Sequence, residues 1–178
     1  MSPSPLADWD NFYVIVGSAA AGLIGLTFVV ISLAADAKRV TTDGLRTFVT
    51  PTIVHFGVVL ALAAYLSAPH QGVTSLCIGF GVTGLAGLGY VIAVAAAMRR
   101  VHALYVPVGE DWIFNAVIPG LSYATLIAMA VVCPRNLEMS LYGVAVVTVV
   151  LLFTGMHNAW DVAVWNSIKK AKSGDPDA

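Results

Sequence analysis

Charge is what this chain has least of. Of its 178 residues only 11 % are Asp, Glu, Lys or Arg, whereas 58 % are hydrophobic. A water-soluble domain carries about 25 % charged residues, so this composition argues against an ordinary soluble domain and for an integral membrane protein. Nine basic against ten acidic residues leave a net charge of −1, which excludes the basic footprint a nucleic-acid partner requires. Cysteine is nearly absent, with Cys77 and Cys133 the two present, too few for a disulfide scaffold. No HExxH, Cys-rich spacing, TVGYG-like filter, Arg-rich helix or acidic ring within an apolar run occurs. The familiar zinc-protease, potassium-filter and voltage-sensor mechanisms therefore have no footing. The opening MSPSPLADWDN lacks the basic start of a secretory signal and carries Asp8 and Asp10 instead. The first apolar segment is thus expected to be retained as a membrane helix.

What is present is a series of long apolar runs. Five stretches, at about 12–35, 48–68, 73–98, 112–133 and 141–160, each supply roughly the 20 residues needed to cross a ~30 Å hydrocarbon core. The sequence therefore predicts an all-α polytopic bundle of five transmembrane helices, a single membrane domain over residues 1–178, and a tail over 166–178. Pro119 and Gly120 interrupt the fourth run, which membrane helices tolerate and which predicts a kink there. Residues 99–111 read as an interfacial loop with a turn at Val108-Gly109.

The basic residues suggest an orientation. Lys38, Arg39, Arg46, Arg99, Arg100, Lys169, Lys170 and Lys172 fall on one side of a five-span drawing and Arg135 on the other. By the positive-inside rule the N-terminus lies outside and the C-terminus in the cytoplasm. Trp9, Phe12 and Tyr13 then mark the outer interface, and Trp112, Trp160 and Trp165 the inner one.

Small residues recur where helices would touch. Gly17, Ala21 and Gly25 stack at i, i+4 and i+8 in the first run, and Gly81, Gly84 and Gly87 lie in the third. In lipid such faces allow close backbone approach, so they read as helix–helix seams within or between subunits, and a homo-oligomer is expected. A second reading makes the first-run stripe a narrow pore with Asp8 and Asp10 at its outer mouth. Cys77 and Cys133 fall at similar depth on the outer side, where a disulfide is chemically permitted.

Polar side chains gather toward the cytoplasmic half of the drawing. Thr154, His157, Asn158 and Asp161 share one face of the last run at i, i+3, i+4 and i+7. His55 lies about two turns into the second run. Asn115, Ser122 and Tyr123 come from the fourth run, and Tyr90 from the third. Pro119 deprives the Asn115 carbonyl of its helical donor. Polar and ionisable groups at membrane depth are costly and so point to a working site. The bland alternatives are an intrahelical His157–Asp161 pair and interhelical packing hydrogen bonds.

Three functions fit this cluster. The first is passage of ions or protons through a cytoplasmic vestibule built from His55, Asn115, Ser122, Tyr123, Thr154, His157, Asn158 and Asp161, with His157 and Asp161 as a titratable pair. The second is a haem or metal site using His55 and His157, with Asp161 as a further ligand. The third is an accessory subunit whose polar patch docks a larger membrane complex. No catalytic set is legible, and no cofactor is required by any motif. The partners expected are the lipid bilayer and further copies of the chain, not nucleic acid.

The two ends, FYVIVGSAAAGLIGLTFVVISLA and LLFTGMHNAWDVAVW, resemble a family of small bacterial polytopic membrane proteins with a GSAAAG-type first helix and a C-terminal HNAWD motif. The resemblance implies a bacterial inner membrane and points to Gly17, Gly25, His157, Asn158 and Asp161. It implies no substrate.

Overall fold

The computed structural model describes residues 6–36, 50–100 and 109–173. Among these the chain is helical throughout and contains no strand. A short 3-10 turn, Ala7–Trp9, leads into α1, Asp10–Asp36. Then follow α2, Thr50–Leu66, and α3, Val73–Arg100. A continuous helix over Gly109–Val132 is α4, and α5 runs Leu137–Ser173. The basic residues Lys38, Arg39 and Arg46 and the turn expected at Val108 lie outside the described residues. Gly109 to Asp111, expected as loop, already belong to α4. The helix of the last run continues past residue 166, where a tail was expected, to Ser173.

Among the described residues, four helical stretches are long and apolar enough to cross a membrane: Ala7–Ser32, Val73–Arg99, Gly109–Val132 and Leu137–Asp161. The fifth expected span, α2, is equally apolar but has 17 residues. At ~1.5 Å per residue it reaches about 26 Å, short of a full hydrocarbon core. The outward faces agree with a membrane protein: Ile15, Leu26, Leu85, Leu121, Val146 and Phe153 are each more than half exposed. So broad an apolar surface would aggregate in water and is at home against lipid tails.

In space the order is α1, α2, α5, α4, α3, with α5 packed on both α2 and α4. Half of the α5 span is buried, against about a sixth of that of α1. The α1–α2 contact centres on Gly17, where an added Cβ would sit 2.9 Å from that of Ala63. The α3–α4 seam is tighter. A Cβ on Gly84 would lie 2.7 Å from the Ile127 side chain and 3.0 Å from two backbone atoms of α4, and one on Gly87 would overlap the Tyr123 ring. Gly81 makes an ordinary 3.6 Å approach to Ala130. Within the chain the expected stripe on α1 packs at Gly17 alone: Ala21 is exposed and, among the described residues, nothing lies within 4 Å of a Cβ on Gly25.

The connections use local chemistry. Between α2 and α3, Gln71 donates from Nε2 to the Tyr65 carbonyl at 2.9 Å, and the Tyr65 hydroxyl donates to the Ser75 carbonyl at 2.7 Å. His70 adopts a positive φ of 63° there, the left-handed conformation His takes more readily than a β-branched residue. Before α5, the Asn136 side chain accepts from the Met139 amide at 3.0 Å, an N-cap on otherwise orphaned backbone donors.

Candidate functional site

This arrangement brings one end of α2, α4 and α5 together with the far end of α3. At that end α4 departs from regular geometry. Residues Ile113–Val117 form a π-helical turn, with the Ile118 amide donating to the Ile113 carbonyl, five residues back. The cause follows two residues later. Pro119 has no N–H for the Asn115 carbonyl, and its ring crowds the preceding turn. Widening that turn by one residue relieves the crowding. Single π turns of this kind often occur at functional sites. The interruption expected at Pro119-Gly120 is therefore a local widening centred on Asn115.

The widened turn aims Asn115 into the bundle, where it is 6 % exposed. Its Oδ1 accepts from Asn158 Nδ2 of α5 at 3.2 Å, and its own Nδ2 donates to the Asp111 carbonyl at 3.0 Å. One turn from Asn158, the Thr154 hydroxyl donates to the Val150 carbonyl, and on α4 the Ser122 hydroxyl donates to that of Ile118. Both hydroxyls are buried, each satisfied as a donor by its own helix and left with acceptor capacity.

Deeper in the bundle stands His55, fully buried. Its Nδ1 lies 2.9 Å from the Tyr123 hydroxyl, and the Tyr90 ring meets it edge-on at 6.4 Å between centroids. Its Nε2 is buried and has no hydrogen-bond partner among the described residues. In either neutral tautomer one nitrogen is a donor and the other an acceptor. The Tyr123 bond can match only one of them, and an unmatched buried polar atom costs about 1–3 kcal/mol.

The outer rim of the same end holds His157, Asp161 and Glu110. His157 Nε2 lies 3.3 Å from Asp161 Oδ2 and 3.5 Å from Glu110 Oε1. Phe114 stacks on the imidazole with centroids 3.6 Å apart. The spacing of His157 and Asp161 was legible as one helical turn; the contribution of Glu110 was not, because its residue falls in the stretch read as a loop. Its signal was there to find: Glu110 opens the helix that carries Asn115. Nearby, the Arg99 guanidinium sits 5.7 Å above the Trp112 ring.

The expected site residues thus fall into three linked groups. Asn115 meets Asn158, His55 meets Tyr123, and His157 meets Asp161, with Ser122 and Thr154 on the buried faces of α4 and α5. His55 and His157 have different partners. The donor atoms that converge with His157 and Asp161 are those of Glu110 rather than His55.

At the opposite end, Asp8 lines a cavity of about 590 Å³ with Trp9, Phe12, Leu137, Glu138, Leu141 and Tyr142. Asp10, expected beside it at an outer mouth, opens α1 and does not line that cavity. Trp9 and Tyr142 meet edge to face at 4.9 Å. Cys77 and Cys133 are free thiols, and the Cys133 sulfur approaches the Val73 carbonyl at 3.8 Å.

Compared with protein families, curated proteins and solved structures, the chain matches none.

Proposed function

We propose that this chain conducts protons or small cations across part of a bacterial inner membrane, through the polar half of its bundle. The N-terminus is taken as outside, with α2 as a fifth, shorter crossing. One observation carries the reading: a fully buried imidazole, His55, has one nitrogen on Tyr123 and the other without a partner among the described residues. Four helices spend polar side chains on the surrounding half of the bundle, and such groups are expensive in lipid unless they serve something.

In this reading the carboxylates of Glu110 and Asp161 concentrate cations at the rim. Asn115 and Asn158 narrow the way inward and offer amide oxygens to a cation or a water. His55 and Tyr123 form the inner station, where an imidazole can take a proton at one nitrogen and release it at the other. Gly22 and Gly25, with open space where a Cβ would stand, supply α1 with a small-residue face for a second copy.

The test is a proton-flux measurement in liposomes carrying the purified chain and an internal pH dye. An imposed gradient should dissipate faster than in empty liposomes. His55→Gln should slow it by about 100-fold or more, the scale on which a positioned acid–base group acts. Dissipation no faster than empty vesicles, or unchanged in His55→Gln, would rule the reading out.

A further inference from the structure

We infer that Glu110, His157 and Asp161 form a binding site for a divalent transition-metal ion of the zinc type, an inference that stands on the geometry of these three side chains and does not require conduction through the bundle. Their ligand atoms, one carboxylate oxygen from the first turn of α4 and a nitrogen and an oxygen from α5, all lie within 4.8 Å of one another. Zinc binds imidazole nitrogen and carboxylate oxygen at about 2.0–2.2 Å in tetrahedral geometry. Tetrahedral angles then set neighbouring ligand atoms about 3.3–3.6 Å apart. The two edges from His157 Nε2, 3.3 Å to Asp161 and 3.5 Å to Glu110, fall in that range.

A second observation separates this cluster from an ordinary surface ion pair. His157 Nε2 is shielded from solvent yet makes no hydrogen bond among the described residues, although two carboxylate oxygens stand within 3.5 Å of it. Neither oxygen stands close and straight enough to accept a hydrogen bond from an N–H there. An ion seated between the three atoms would satisfy the nitrogen through its lone pair and both oxygens at once. The imidazole is already held for this by the Phe114 ring against its face, and pre-set ligand orientation is what second-layer contacts supply in metal sites.

The charge and access also fit. Two carboxylates balance a divalent ion, and both side chains are more than half exposed, so an ion can arrive from water and keep an open fourth position. The imidazole favours zinc-type ions over magnesium or calcium, which take oxygen ligands in larger number. Once bound, the ion ties the first turn of α4 to α5 and stabilises the folded bundle by mass action.

The experiment uses the full-length, tag-free chain in detergent after treatment with a chelator, titrated with Co²⁺. The expected result is visible absorption of tetrahedral cobalt that saturates at one ion per chain and is bleached by Zn²⁺ but not by excess Mg²⁺. Glu110→Gln, at an exposed position, should weaken binding by at least about tenfold with helicity by circular dichroism unchanged. Asp161→Asn should do the same. Absence of a saturable signal overturns the proposal, as does an affinity unchanged in Glu110→Gln.

Discussion

The Tyr123 hydroxyl, on α4, reaches His55 Nδ1, on α2, at 2.9 Å across 68 residues of sequence. The phenol can stand there because α3 opposite it carries Gly87, which leaves room for the ring. Three helices are thereby fixed against one another around one buried imidazole.

Tyr123→Phe removes the hydroxyl and keeps the ring. Both imidazole nitrogens then lack partners among the described residues, and the fold should lose about 0.5–2 kcal/mol, within the range of membrane hydrogen bonds and unmatched buried groups. Thermal unfolding in detergent reads the loss directly; an unchanged midpoint would mean that the bond contributes nothing to stability.

Two glycine substitutions should behave oppositely. In Gly87→Ala the new methyl would overlap the buried Tyr123 ring, and overpacking of this kind costs about 1–3 kcal/mol. Gly25→Ala meets nothing within 4 Å among the described residues of one bundle, so it should leave the stability of the single chain unchanged or raise it by up to about 1 kcal/mol through helix propensity, while weakening any pairing of two copies through the α1 face. Paired unfolding curves in detergent distinguish the two.

Pro119→Ala restores an amide able to reach the Asn115 carbonyl. The π turn over Ile113–Val117 then loses its cause, and a regular helix would rotate Asn115 relative to Asn158. The variant should be at least as stable as the parent but have a weakened Asn115–Asn158 bond. A double-mutant cycle with Asn158→Ala checks this: the coupling between positions 115 and 158 should shrink in the Pro119→Ala background.

Glu110→Gln changes one charge on a side chain that is 67 % exposed. Exposed ion pairs contribute about 0–1 kcal/mol, so unfolding should move by no more than about 0.5 kcal/mol. A large loss of stability would show instead that the α4 first turn depends on this carboxylate for its fold.

Much of the architecture could be read in advance. Length and apolarity are sums over neighbouring residues, so the long helices and the short gaps between them follow from the chain itself. The face shared by Thr154, His157, Asn158 and Asp161 follows in the same way, from helical periodicity alone. Pro119 announced a disturbance, although not that it would take the form of a widened turn. The small-residue motif of α1, expected to seam helices within or between subunits, packs inside the single bundle at one of its two glycines. Gly17 and Gly25 stand two helical turns apart on one face, yet Ala63 of α2 covers the first and no described residue covers the second.

The sequence by itself determined that this protein is a set of long apolar helices suited to lipid and that His157, Asn158 and Asp161 share one face near the end of the last. Only the tertiary structure decided which polar residues meet: His55 with Tyr123, Asn115 with Asn158, Glu110 with His157. The physical reason is that hydropathy and periodicity act within one helix, whereas partners depend on which helices adjoin. That choice is made by the close approaches at Gly17, Gly84 and Gly87 and by the order in which α5 is packed between α2 and α4.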